Sequence, residues 1–525
     1  MNKKTCIDLY SGIGGWTLGM KLNDIKHLKS FEWNKESNRT HNYNFGTTTE
    51  EIDIRKLNFE DLPEVGSVDF VVGSPPCTQF SYANKGGGGN IEDGLIDMYQ
   101  FLKVVQYLKP KYWAMENVPR VRNILKSILD TNPQFMEFKE MFNYIDVVDC
   151  SQYGAPQKRM RMIAGHFPFE LFESYKVQIK PNTLGSVINA LNSEIIIDPT
   201  YKYKLDSKDL SDHILEENLH FEELRINKES KTHHPIYNGM SFPELLNRPS
   251  RTITSTCTRV SRESLVIESK DGYRRLTVRE RATLMGFPIT YQFYGNSFNS
   301  KLKMIGNAIP PVLTYYIFQS MLEVQPKKLK LIDEVKNYTH KAPTEPIPIT
   351  PPDKVKFRYR ESRSFRLAIP EFRFGSGVRF ELSNDFIKDI CKWSIKFYYG
   401  TSKRIMEVII NKELFDNLQI ILKRQKIDIK KEIKSLEIYA SGVSSESLQK
   451  RWIHENQNGT HPFEVLDVVS SLGIQIKDKI VDIEFSDLDF ELLLGKNLNN
   501  KLFDNKSLII AGLITGYVFN KNIKL

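Results

Sequence analysis

Cysteine is scarce in this chain: Cys6, Cys77, Cys150, Cys257 and Cys391 are five in 525 residues, odd in number and without paired spacing. That argues against a disulfide framework or a zinc cage and points to a reducing, cytoplasmic compartment. No apolar run approaches the roughly 20 residues that cross a bilayer. The longest late run, Leu508 to Phe519, reads as a buried helix or strand. Met1-Asn-Lys-Lys has the charged start of a signal peptide, but the following Ile7-Asp-Leu-Tyr-Ser-Gly12 is too polar to be its apolar stretch. Charge of one sign is lacking too. With 73 Lys and Arg against 64 Asp and Glu, the net charge is +9, which favours a polyanionic partner without requiring one. Internal repeats and long low-complexity tracts are absent.

What is present is an ordinary folded composition, 40% hydrophobic and 26% charged, in a chain too long for one compact core. The N-terminal part alternates short β-branched or aromatic runs with helical patterns, the signature of an α/β parallel sheet. Thr5 to Tyr10 ends in a glycine cluster, Val68 to Val72 ends in Gly-Ser-Pro-Pro-Cys, and Tyr112 to Met115 ends in Glu-Asn-Val. Phe101, Val104, Val105 and Leu108 recur at helical spacing between the last two, as a crossover helix requires. The alternation dissolves after Gly165 into about eighty residues rich in Asn, Ser, His and charge, and a compact block resumes at Arg248. Five prolines between Lys341 and Pro352 predict a stiff, extended linker and a domain boundary. The expected organisation is therefore 1–165, a variable insert at 166–247, a return at 248–330, a Pro-rich linker at 331–352 and a mixed α/β domain at 353–525.

Several residues stand where a parallel sheet binds ligands. In Asp8-Leu-Tyr-Ser-Gly-Ile-Gly-Gly15, glycines between a strand and a helix let the backbone approach a ligand beside free helix N–H groups. Glu32, about twenty residues on, can accept hydrogen bonds from ribose hydroxyls, and Trp33 can stack on a base. Cys77 follows Pro75 and Pro76, which hold the backbone extended just past a strand's carboxyl end. A cysteine there is a nucleophile if nearby cations or a helix N-terminus stabilise its thiolate, whereas most free cysteines are small buried hydrophobes. Glu116 ends the next strand. In Gln157-Lys-Arg-Met-Arg161, Gln157, Arg159 and Arg161 alternate at period two, which on a strand puts both guanidiniums on one face.

In this order the segments resemble the blocks of the cytosine-5 DNA methyltransferases. Asp8 to Gly15 and Glu32-Trp33 are similar to the first two cofactor blocks, and Asp53-Ile54 to a weaker third. Gly73 to Ser81 resembles the Pro-Pro-Cys block, Glu116-Asn117-Val118 the Glu-Asn-Val block, and Gln157 to Arg161 the Gln-x-Arg-x-Arg block. Arg275 to Glu280 with Gly286-Phe-Pro288 resembles the ninth block, and Gly306 to Pro311 the last. Thr78 departs from the glutamine many members carry. The resemblance covers roughly the first 325 residues, apart from the insert.

That resemblance implies a Rossmann-like S-adenosylmethionine-dependent methyltransferase sheet with a small target-recognition domain. It implies Cys77, Glu116, Arg159 and Arg161 as catalytic residues. Tyr10, Gly12, Gly14, Gly15, Glu32, Trp33, Asp53, Ile54 and Asn307 would hold S-adenosylmethionine, with no metal. The substrate would be a cytosine flipped out of double-stranded DNA, and Lys85 to Asn90 would hinge a loop closing over it. Residues from about Phe167 to Leu246 would read the target sequence in the major groove; His233-His234 before Pro235 reads as a turn rather than a metal site. A monomer is expected, partnered by a separately acting restriction endonuclease; an orphan or phage-borne enzyme would look identical. An enzyme acting on tRNA is the nearest alternative, although the Cys-Phe-Thr signature of such relatives is missing. Beyond the linker, Lys354, Lys356, Arg358 and Arg360 alternate with apolar residues, and eight Lys or Arg face three Asp or Glu between Asp353 and Arg379. Auxiliary DNA contact and a protein-interaction or scaffold role are equally weighted expectations for that domain.

Overall fold

A computed structural model describes residues 3–80, 90–231, 240–354, 361–374, 378–401, 404–453, 458–481, 486–494 and 500–525. The chain forms two compact units, Met1–Val355 and Lys356–Leu525. Among the described residues, no helix is long and apolar enough to cross a membrane.

The first unit is built on seven strands: β1 (Thr5–Leu9), β2 (Lys26–Glu32), β3 (Glu50–Glu51), β4 (Phe70–Gly73), β5 (Tyr112–Asn117), β6 (Tyr144–Asp149) and β7 (Met160–His166). Their order across the sheet is β3-β2-β1-β4-β5-β7-β6. The first five pair in parallel, and β7 slots antiparallel between β5 and β6. Alternate residues feed opposite faces. Cys6, Phe70, Val72, Ala114 and Ile163 join one apolar cluster, while Ile7, Leu9, Val71, Trp113 and Met115 join the other. Both faces of β1, β4 and β5 are thus covered, which is why these strands read as continuous apolar runs. Phe101, Val104, Val105 and Leu108 lie on the buried side of the crossover helix Ile91–Leu108.

Strand order reverses between β1 and β4, since β2 and β3 lie on one side and β5, β7 and β6 on the other. A crevice opens at such a switch point, beyond the strands' carboxyl ends. The turns after β1 and β4 both empty into it.

The variable stretch does not stand apart. Leu184, Val187, Leu191, Ile196 and Tyr201 share one core with Leu276, Val278 and Phe287 of the return. Buried ion pairs add to this: Arg275 meets Glu216 at 2.5 Å, and Arg259 meets Glu223 at 2.8 Å. His233 and His234 lie outside the described residues. In the return, Thr277 caps the helix Val278–Leu284 and forms a capping box with Glu280, which Arg274 also binds at 2.7 Å.

The proline-rich segment is extended, but it is strapped to the first unit. His340 is buried against Thr290, the Tyr294 hydroxyl donates to the Glu345 carbonyl at 3.0 Å, and the Lys301 ammonium donates to the Pro348 carbonyl at 2.6 Å. The division between units falls just after it, at Val355.

The second unit carries a four-stranded antiparallel sheet, Arg366–Arg373, Arg379–Ile387, Ile390–Thr401 and Arg404–Val408, in that order. Phe380, Leu382, Trp393, Ile395 and Phe397 are buried on one face. The apolar run from Leu508 to Phe519 lies within the helix Lys506–Asn522. At Gly512 an added Cβ would fall 2.5 Å from the Phe380 ring, so the helix packs closely on the sheet. The alternating basic residues Lys356, Arg358 and Arg360 lie outside the described residues.

Candidate active site

The loop after β1 makes a tight turn in which Tyr10 (φ 55°), Gly12 (φ 53°) and Gly14 (φ 87°) adopt the left-handed conformation. Glycine is required at two positions for different reasons. A Cβ at Gly14 would fall 2.4 Å from the Phe45 ring, and one at Gly15 would fall 2.3 Å from the Ile309 carbonyl oxygen. The first turn of the helix Gly15–Leu22 therefore presses directly on the last sequence block, and the Thr314 hydroxyl locks the pair by donating to the Gly15 carbonyl at 2.9 Å. Gly12 is different: a Cβ there would meet nothing within 4 Å, because the residue faces open space.

That space is a cavity of about 410 Å³ at the switch point. Glu32 at the end of β2 lines it. Its two carboxylate oxygens accept the backbone N–H groups of Gly12 at 3.0 Å and Asn34 at 2.8 Å, so it also shapes the glycine loop. Burial holds its pKa above the ordinary carboxylate value, against the pull of those N–H donors. Trp33, next along, is 65% exposed and offers an uncovered ring face at the cavity edge.

Cys77 lines the same cavity, half-buried, at the end of the Pro-Pro turn that follows β4. Asn117 at the end of β5 braces this turn by donating its side-chain N–H to the Pro75 carbonyl at 3.0 Å. Its neighbour Glu116, also on the cavity wall, is ion-paired with Arg161 of β7 at 2.8 Å. The antiparallel β5–β7 pairing makes that contact possible, since it brings the two strands' functional ends together. Desolvation holds the Cys77 thiol above its ordinary pKa; Glu116 pushes it higher, and Arg161 and Arg159 pull it down. The sulfur is thus subject to one carboxylate and two guanidiniums acting in opposite directions.

Of the residues singled out from sequence, Tyr10, Gly12, Gly15, Glu32, Trp33, Cys77, Glu116, Arg161 and Asn307 line this cavity. Gly14, Asp53, Ile54 and Arg159 are not on its wall. Asp53 caps the short turn Ile54–Lys56, and Ile54 is buried. Arg159 immediately precedes β7, which begins at Met160, and its carbonyl still accepts the Cys150 N–H at 2.9 Å beside the last β6–β7 pair. Its fully buried fork donates to the carbonyls of Ile253 at 2.9 Å, Gly306 at 2.8 Å and Ala308 at 3.1 Å. Burial and the nearby Arg161 pull its pKa down to about 9. Arg159 thus ties three carbonyls of the return to the sheet edge while its charge still acts on Cys77. Gln157 plays a similar part, donating to the Leu284 carbonyl and accepting the Ile253 N–H.

Sequence reasoning missed Trp16, Ser74 and Lys303 on the wall. Trp16 donates its indole N–H to the Ser74 hydroxyl at 3.1 Å, linking the turns after β1 and β4. The signal for Trp16 was its place one residue past the glycines; Lys303 had no comparable signal. The proposed hinge residues Lys85 to Gly89 and Ser81 lie outside the described residues. Among the described residues no group of three or more His, Cys, Asp or Glu could hold a metal ion.

A family model described as C-5 cytosine-specific DNA methylase matches residues 4–323. The chain is 25% identical over 361 residues to the type II methyltransferase M.FnuDI of Fusobacterium nucleatum, covering 63% of this chain and 98% of that protein. It is 28% identical over 338 residues to the type II methyltransferase M.HindV of Haemophilus influenzae, covering 62% and 98%. With the type II methyltransferase M.AplI of Arthrospira platensis it shares 30% identity over 345 residues, covering 61% and 87%.

Proposed function

The chain belongs to the C-5 cytosine-specific DNA methylases, and from that membership we propose that Cys77, Glu116 and Arg161 carry out methyl transfer to cytosine C5 in DNA. The observation that carries this reading is the Glu116–Arg161 pair at 2.8 Å on the wall of the cavity that Cys77 also lines.

Cytosine C5 is a weak nucleophile. Addition of the Cys77 thiolate to C6 turns the ring into an enamine whose C5 can attack an electrophilic methyl group. The proton that leaves the thiol is taken up by Glu116, which supports the addition by presenting it at N3 and recovers it as the ring is restored. Arg161 holds Glu116 in place and offsets negative charge on the ring and sulfur. Arg159 reinforces that positive potential from behind the wall. Loss of the C5 proton and elimination of the Cys77 sulfur then restore the aromatic ring and the free enzyme. The target base must leave the helix stack to reach Cys77.

S-adenosylmethionine supplies, when bound, a methyl group on a cationic sulfur. The residues fit it: Gly12 faces open space, Glu32 has the geometry to accept ribose hydroxyls, and the uncovered face of Trp33 suits an adenine. Tyr10, Gly15 and Asn307 share the cavity wall, and Gly14, Asp53 and Ile54, off the wall, complete the set assigned to it. Residues 166–247 are assigned to reading the DNA sequence. The three relatives are named type II methyltransferases, which supports a role in protecting DNA against a cognate restriction endonuclease.

The test is expression in a bacterium devoid of cytosine methylation, followed by bisulfite sequencing. Protected cytosines within one short fixed sequence, lost in Cys77→Ser, are expected. Unmodified DNA alongside methylated tRNA would overturn the substrate.

A further inference from the structure

The family match ends at residue 323, and the second unit, Lys356–Leu525, lies wholly beyond it. This unit contains 28 Lys or Arg against 22 Asp or Glu, so it carries +6 of the chain's net +9 in a third of its length. A cluster of six cations lies at one corner of the unit, where the helix Lys412–Arg424 turns into the helix Lys430–Ser441. Lys423, Arg424, Lys426, Lys430, Lys431 and Lys434 are all exposed there, and none forms an ion pair among the described residues. The acidic residues within 423–434 are Asp428, which accepts the Lys430 N–H at 3.0 Å, and Glu432, with Glu437 one turn beyond Lys434.

Lys423 and Arg424 complement the dipole in the last turn of their helix, but local stability does not explain Lys426, Lys430 and Lys431. Lys426 has φ 58°, the left-handed position that follows a helix and favours glycine. The Lys426 N–H reaches the Lys423 carbonyl and the Ile427 N–H reaches the Leu422 carbonyl, both at 3.1 Å, which closes that helix end. Lys430 and Lys431 are the first two residues of the next helix, where its dipole disfavours positive charge. The corner is nonetheless rigidly placed, since Leu418, Leu422, Ile429 and Leu436 beneath it are buried. An exposed array of six cations against two carboxylates, three of the cations kept against local preference, is a surface for a polyanion. The sheet of the same unit is a weaker candidate, because Arg366 and Arg379 are both ion-paired with Glu381, and Lys396 with Asp385 and Glu407.

We infer that the corner at Lys423–Lys434 contacts the phosphate backbone of duplex DNA, without reading bases, and so adds non-specific affinity to the methyltransferase. This rests on duplex DNA being the enzyme's substrate. A backbone contact leaves a distinct mark: affinity falls with salt by a log–log slope of about 0.9 for each phosphate neutralised.

The test uses the full chain and a quadruple variant, K426A/K430A/K431A/K434A, with a 30-base-pair unmethylated duplex. Binding is followed by fluorescence anisotropy across a salt series. The expected result is a slope shallower by up to about 3.6, if each lysine meets one phosphate, and affinity at low salt reduced at least about tenfold. Turnover at saturating DNA stays at the wild-type level, and the matching Lys→Arg variant retains the wild-type slope. An alanine variant that keeps the slope and affinity of the wild type overturns the proposal, as does a slope lost for structured RNA but kept for duplex DNA. If the alanine variant melts early, K426Q/K430Q/K431Q/K434Q is read in its place. Methylation of unmodified plasmid DNA by the wild type is measured in parallel. Its absence would count against the substrate reading, whereas intact methylation with an unchanged slope would count against the corner alone.

Discussion

The proposed reaction needs Cys77 as a thiolate, and its surroundings bear on how readily that thiolate forms. Burial and Glu116 raise its pKa while Arg161 and Arg159 lower it. Because only the thiolate alkylates, the rate of iodoacetamide labelling should climb with pH and reach its midpoint above that of an ordinary thiol. Glu116→Gln removes a raising charge, so the midpoint should move down and labelling at pH 7.5 should speed up several-fold. Turnover should fall by about 10²–10⁴ in the same variant. Arg161→Ala should move the labelling midpoint the other way, and a shift in the same direction for both variants would sink this account. The two arginines should also separate by stability. Arg159→Met strands two buried carbonyls and a partly buried third, and should cost about 3 kcal/mol or more in chemical unfolding. Cys77, Glu116 and Arg161 were all legible as site residues, because each ends or flanks a strand at the edge where ligands bind. The tie made by Arg159 was not, since its carbonyl partners lie 94, 147 and 149 positions away.

At the scale of elements, the site depends on two chain ends meeting. The helix Gly15–Leu22 and the turn at Ile309 come within van der Waals contact because residue 15 has no side chain. Gly15→Ala forces a Cβ into the Ile309 carbonyl, an overpacking that should destabilise by about 1–3 kcal/mol. Since both segments line the cavity, it should also weaken binding of S-adenosylhomocysteine in calorimetry. Wild-type affinity together with wild-type melting would show that the contact is not needed. β1, β4 and β5 were readable because strands covered on both faces must be apolar throughout. β3 has only two residues, too few for a periodic pattern, and the antiparallel insertion of β7 leaves no local trace. What makes β7 functional is its pairing with β5, a long-range register that composition does not encode.

At the scale of the whole molecule, the five prolines from Pro343 to Pro352 dictated an extended path but could not reveal that the path is anchored. The anchor includes His340, which accepts or donates a hydrogen bond at Thr290, stacks on Tyr291 and is almost wholly buried. Burial, with some repulsion from Arg279, lowers its pKa from the usual 6.5 to about 4. Above pH 6.5 the residue is neutral in both folded and unfolded chains. As pH falls from 6.5 toward 4, the unfolded chain takes up this proton and the folded unit does not, so the contribution of His340 to stability is progressively lost. The difference amounts to up to about 3 kcal/mol for this group. Buried carboxyls such as Asp8 and Asp198, whose pKa values are raised, act with the opposite sign, so total stability against pH is no clean measure. The comparison of wild type with His340→Gln isolates the histidine. At pH 7.5 the variant should unfold at lower denaturant, having lost the fit at Thr290 and Tyr291. By pH 4.5 that gap should close or reverse, because glutamine has no proton to take up on unfolding. Urea midpoints for the first unit, followed by tryptophan fluorescence at four pH values, measure it. A gap that stays constant from pH 7.5 to 4.5 would mean that the strap is not held by a neutral histidine.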